Sequence, residues 1–94
     1  MSLPRLTETE IQRLLSTVPH WSRKGEEISR IFEFSNFKEA IAFVNRVATM
    51  AEEANHHPDI AIRWNQVSLM LTTKSQKRLT QSDFDLASRI DKLP

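Results

Sequence analysis

The stretch NFKEAIAFVNRVATMAEEANHHPDIAIRWNQVSLML, residues 36–71, changes its periodicity once, and the change sets the fold. Phe37, Ala40, Ile41, Val44, Val47, Ala48, Ala51 and Ala54 recur at three- and four-residue steps, the pattern of an amphipathic helix. Asn36, with Glu39 three residues on, supplies an N-cap and a first-turn carboxylate. The helix should end near Asn55 or His56, because Pro58 has no N–H to donate and its ring clashes with the preceding turn. Beyond Pro58 the period becomes two. Ile60, Ile62 and Trp64 alternate and, after Asn65-Gln66, so do Val67, Leu69 and Leu71, which predicts a β-hairpin with a tight turn.

Working outward, Thr7 and Glu10 form a capping-box pattern before a short helix that carries Ile11, Leu14 and Leu15 and stops before Pro19. Trp21 to Lys24 reads as a strand, Gly25-Glu26 as a turn and Glu27 to Phe34 as a second strand, with imperfect alternation. Thr80 with Asp83 caps a last helix burying Phe84, Leu86, Ala87, Ile90 and Leu93. The order α-β-β-α-β-β-α predicts an α+β fold: a four-stranded antiparallel sheet with three helices packed on one face. The opposite face, with Arg63, Ser68 and Met70, should be mixed. Its open edges invite closure by a second copy.

The 94 residues suffice for a single domain spanning 1–94, with a core modest enough that oligomerisation would extend it. Thirteen basic and twelve acidic residues leave a formal charge of +1, with no basic run, so there is no electrostatic case for nucleic acid or an anionic membrane. The absence of cysteine excludes disulfides and thiolate metal sites. Met1 to Glu10 has no leader-type apolar segment, and no apolar run approaches the roughly 20 residues of a membrane span. A soluble cytoplasmic protein is the expectation.

The chemistry-bearing segment is Glu52 to Pro58. Glu52 and His56, four apart, should share a helix face, where the carboxylate can fix one imidazole tautomer. The negative end of the helix dipole adds to the preference for a positive imidazole. His57, freed by Pro58, could turn into the same cleft, giving an acid–base site. A histidine at a helix C-terminus is equally favourable with no chemistry at all. Glu52, His56, His57 and Asp59 are also possible metal ligands, but only two of them clearly share a face, so no metal site is expected. His20 reads as an ordinary turn residue. No phosphate loop or nucleophile elbow is present.

The string Glu52-Glu53-Ala54-Asn55-His56-His57-Pro58-Asp59, followed by Trp64 and Asp83, resembles the pterin-4a-carbinolamine dehydratases, and the resemblance extends over almost the whole chain. It includes the opening helix, the Trp21 strand, the Arg63-Trp64-Asn65 turn and the Leu79-Thr80 to Leu86-Ala87 ending. It implies the same α-β-β-α-β-β-α fold. It further implies dehydration of a 4a-hydroxytetrahydropterin to the quinonoid dihydropterin, as in tetrahydrobiopterin recycling, with no metal or organic cofactor. On that resemblance His56 is a general acid or base and His57 binds and orients the pterin beside Pro58. Glu52 positions His56, and Asp83 hydrogen-bonds within the site. Trp64 matches the motif aromatic, although packing on the Ile60–Ile62 face is its simpler reading.

The family's third histidine falls at Lys74, a fixed cation at neutral pH. The loop Ser75-Gln76-Lys77-Arg78 lacks the glycines common in the family. The resemblance also implies a homodimer or homotetramer. Because some relatives serve as dimerisation cofactors of a transcription factor or as assembly factors, it further implies a possible protein partner in place of turnover.

Overall fold

The computed structural model describes residues 5–93; the expected domain limits at 1 and 94 and the first four residues of the Met1 to Glu10 segment lie outside them. Seven elements follow in order: α1 (Glu8–Thr17), β1 (Ser22–Lys24), β2 (Glu27–Glu33), α2 (Phe37–Ala54), β3 (Asp59–Arg63), β4 (Gln66–Leu71) and α3 (Gln81–Asp91). The strands form one antiparallel sheet in the order β1-β2-β4-β3. The α+β fold read from the sequence is the fold observed. No helix among the described residues is long and apolar enough to cross a membrane.

Local chemistry accounts for the element ends. Thr7 and Glu10 cap α1 reciprocally, at 3.1 and 2.8 Å. The Thr7 N–H holds the Glu10 carboxyl below the ordinary range, and the Arg23 guanidinium does the same for Glu8. The Asn36 side chain accepts from the Glu39 N–H at 2.9 Å and starts α2. At the other end, Asn55 adopts the left-handed conformation (φ 50°, ψ 42°), and the His56 N–H reaches back to the Ala51 carbonyl at 3.1 Å. Asparagine is among the few residues that accept this geometry, and it ends the helix one residue before the position expected.

The core lies between the helices and the inner faces of β2 and β4. Ile28, Val67, Leu69 and Leu71 are fully buried against Ile11 of α1, Val47 of α2 and Phe84, Leu86 and Ile90 of α3. Phe43 joins α2 to β2 through ring contacts with Phe32 and Phe34 at 4.7 and 4.9 Å. β2 alternates imperfectly because Arg30 sits on the inner side. Its guanidinium pairs with Asp91 at 2.7 Å and lies 4.3 Å from the Phe32 ring, and Asp91 also accepts from the Trp21 indole N–H at 2.8 Å. Those bonds tie the start of β1 and the inner face of β2 to the end of α3.

Two expectations fail, each for a physical reason. On α2 the buried residues are Ala40, Phe43, Val47 and Ala51, whereas Phe37, Ala48 and Ala54 are exposed. The helix carries two adjacent apolar stripes, and the core takes only the one containing Phe43. On β3 every residue is exposed. Ile60 and Ile62 do share the inner face, since they lie opposite Leu69 and Val67. They nevertheless sit on an edge strand and stay 37% and 38% exposed.

Trp64 does not continue that face into the core. It occupies the two-residue turn at φ 53° and is 68% exposed. A bulky residue in the left-handed region is strained by about 1–3 kcal/mol. Asn65 holds the turn by donating from its side chain to the Phe34 carbonyl at 2.9 Å and accepting from the Phe34 N–H at 2.8 Å. Trp64→Asn should therefore leave stability unchanged or raise it by about 1 kcal/mol, since asparagine suits this geometry. Leu69→Ala should cost about 2–5 kcal/mol. Urea midpoints measure both, and comparable losses would put the indole back in the core.

Candidate active site

The left-handed cap at Asn55 decides where the two histidines go. It breaks the helical register, so His56 no longer stands one turn above Glu52. The His56 Nε2 instead lies 2.6 Å from Asp83 Oδ1, near the start of α3. Glu52 is the partner of His57 Nε2. The expected Glu52–His56 pairing is thus corrected: each histidine has its own carboxylate, Asp83 for His56 and Glu52 for His57.

The two pairs differ in setting. Asp83 has no exposed side-chain surface and His56 has 15%, while His57 and Glu52 are 55% and 77% exposed. Asp83 receives two further donors on Oδ2, the Thr73 hydroxyl and the Thr80 N–H, each at 2.9 Å. A carboxylate offers only acceptors, so the hydrogen of the buried pair belongs on His56 Nε2, and the ring's Nδ1 is left available. The outer pair stands in contact with solvent.

Both rings line a cavity of about 220 Å³, together with Asn55, Thr72, Thr73, Lys74 and Ser75. His56 also borders a larger hollow of about 530 Å³ between the end of α2 and α3, lined by Ala54, Ser82, Asp85, Leu86, Ser88 and Arg89. Lys74 faces the smaller cavity, with its ammonium 2.6 Å from Asp59 Oδ1 on an exposed surface. Its loop closes through the Thr73 N–H to the Arg78 carbonyl at 3.1 Å, and Lys77 takes φ 53° where glycine would be unstrained.

Of the residues singled out in the sequence, His56, His57 and Lys74 line this cavity, and Glu52 and Asp83 stand behind the imidazoles. Pro58 is not part of the lining. Trp64 is not brought to the cavity: it stands at the far end of β3, about 20 Å of extended chain from Pro58. The possible metal donors Glu52, His56, His57 and Asp59 are divided among three separate pairs. Among the described residues no group of three or more such side chains converges. Thr73 and Thr80 were missed as site residues. The only signal was the Thr80–Asp83 capping box, which placed the carboxylate but gave no hint of what else it touches.

A small α+β protein carrying two imidazole–carboxylate pairs beside one cavity is the class that fold and geometry define. The family model described as pterin 4 alpha carbinolamine dehydratase matches residues 4–93, and the chain belongs to that family. Curated relatives provisionally named pterin-4-alpha-carbinolamine dehydratase agree along the full length. The relative from Picosynechococcus sp. is 54% identical over 95% of this chain and 97% of its own. The one from Nocardia farcinica is 47% identical over 99% and 98%. Among solved structures, a transcriptional coactivator/pterin dehydratase from Brucella melitensis superposes with a TM-score of 0.88 at 32% identity, covering 94% of this chain and 96% of that one. A pterin dehydratase-like protein identified as a RuBisCO assembly factor in the alpha-carboxysome shares the fold, with a TM-score of 0.63 at 24% identity over 76% and 82%.

The difference in burial predicts a difference in stability. Asp83→Asn should cost about 1–3 kcal/mol, because an amide nitrogen would confront donors that water cannot reach. Glu52→Gln should change stability by no more than about 0.5 kcal/mol. Urea unfolding at neutral pH tests the contrast, and equal effects would contradict the buried-versus-exposed assignment.

Proposed function

We propose that this chain removes water from a 4a-hydroxytetrahydropterin to give the quinonoid dihydropterin. The observation that carries the reading is the pair of histidines, each backed by a carboxylate, on one cavity. The reaction breaks the bond from the 4a carbon to its hydroxyl and loses a ring N–H. The departing hydroxide takes one proton to leave as water, and a base takes the other from nitrogen. His56, with Nε2 engaged by Asp83, works through Nδ1 as acid or base. His57, with Glu52 behind it, binds the pterin and exchanges protons with solvent. Asp83 and Glu52 are positioning residues. Lys74 gives the cavity a cationic rim neutralised by Asp59, in place of a third titrating imidazole. No cofactor enters the scheme.

Rapid-mixing assays of 4a-hydroxytetrahydropterin dehydration test this. His56→Ala should lower kcat by at least about 100-fold, the worth of a general acid or base, and Lys74→His should raise it. An undiminished His56→Ala rate would overturn the assignment.

A second reading, a protein-interaction scaffold on the same fold, is favoured by exposed apolar residues: Ile31 on the outer face of the sheet, Ile60 and Ile62 on its edge strand, and Trp64 in the turn. Absence of turnover in both the wild type and Lys74→His would favour it. Under either reading we infer a homo-oligomer. Edge strand β3, Asp-Ile-Ala-Ile-Arg, is self-complementary about Ala61. Antiparallel pairing with a second copy sets Asp59 opposite Arg63 and Ile60 opposite Ile62. The unused apolar stripe of α2 offers a further contact. Sedimentation equilibrium should give a mass of two or four chains, and Ile60→Pro, which removes an N–H from the free edge of β3 and leaves the bonds to β4 in place, should lower it.

A further inference from the structure

We infer that Thr73 and Thr80 are positioning residues whose hydroxyls form a one-way hydrogen-bond chain that aims Asp83 at His56; as a statement about turnover, this rests on the dehydratase reading above. The direction of the chain follows from counting hydrogens. Thr73 Oγ1 donates to Asp83 Oδ2 at 2.9 Å, and a hydroxyl has one hydrogen to give. The 2.7 Å contact between the two threonine hydroxyls must then run from Thr80 to Thr73. The Thr80 N–H fills the second acceptor position of Oδ2 at 2.9 Å. Oδ1 is left for His56 Nε2 at 2.6 Å.

Thr80 and Asp83 are 0% exposed, and Thr73, at 7%, meets the cavity on one side only. With no exposed surface of its own, the carboxylate takes its orientation from the donors packed around it, the threonines among them. The two donors on Oδ2 hold the carboxylate in place, so that Oδ1 stays within hydrogen-bond reach of His56. Because a carboxylate only accepts, the imidazole kept at that distance is the Nε2–H tautomer, with Nδ1 as its free nitrogen.

The arrangement also spans the site. Thr73 lines the cavity and immediately precedes Lys74, while Thr80 opens α3. The loop that carries the cationic rim and the helix that carries the carboxylate are thus joined through two hydroxyls. A change in the 73–80 loop reaches His56 without touching it.

Thr73→Val keeps the volume and removes the donor, and Thr73→Ser keeps the donor. With kcat and KM measured by the dehydration assay, Thr73→Val should lose roughly ten- to hundredfold in kcat, the worth of one hydrogen bond to a charged group. KM should stay within about twofold, as expected for a group that acts on the reacting step. Thr73→Ser should recover most of the loss. Nitrogen-15 spectra of the His56 ring give a readout independent of turnover. The wild type and Thr73→Ser should show the Nε2–H tautomer, and Thr73→Val a mixture of the two. A wild type without turnover that still shows this tautomer pattern would sink the dehydratase reading and leave the positioning role standing. A ring signal unaltered in Thr73→Val, or a Thr73→Ser variant as impaired as Thr73→Val, would overturn the positioning role.

Discussion

A carboxylate shut away from water has to be met by donors, and Asp83 is met by three. Each comes from a different part of the chain: the residue after the α2 cap, the loop after β4, and the first turn of α3. The requirement to satisfy one side chain therefore fixes the relative placement of the elements that build the cavity. The capping bond to Thr80 shows the economy of the arrangement. The same carboxylate that starts α3 also orients an imidazole, so helix initiation and site geometry cannot be separated.

The rest of the fold supports that constraint from the far side of the core. Asp91, at the last residue of α3, accepts from Trp21 and Arg30, so both ends of this helix are tied by carboxylates to strands or loops of the sheet layer. Between the two anchors Phe84, Leu86, Ala87 and Ile90 are buried in the common core, with α1 and α2 packed alongside. Buried along one face and bonded at both ends, α3 presents the short Asp83 side chain within a hydrogen bond of the imidazole. By contrast, the strand nearest the histidines in sequence, β3, has no buried residue. The site is built against a well-packed helix on one side and an open sheet edge on the other.

Most of this architecture was legible in the sequence, because periodicity reports on it directly. The 3.6-residue repeat of α2, the alternation of β4 and the caps at Thr7, Asn36 and Thr80 all mark local preferences that the packed structure keeps. What was not legible depends on long-range context. Nothing in Ile60-Ala61-Ile62 says that the strand lies at an edge; that is a property of sheet order. Phe43 escaped notice because two apolar stripes run side by side on α2 and only tertiary packing chooses between them. The pairing of His56 and His57 was misread for a backbone reason: the four-residue spacing assumes that the helix continues, and Asn55 ends it. Thr73 could not have been found at all, since its partner is ten residues away across a loop of unpredictable path.

The left-handed residue at position 55 also bears on how such a site can change over generations. A single dihedral angle aims both imidazoles, one inward and one outward, at once. A substitution there by a β-branched residue, which resists positive φ, would misdirect the two together. The placement of the two histidines is therefore coupled through a position that carries no reactive group. Lys74 stands on a different loop, outside the reach of that one dihedral angle.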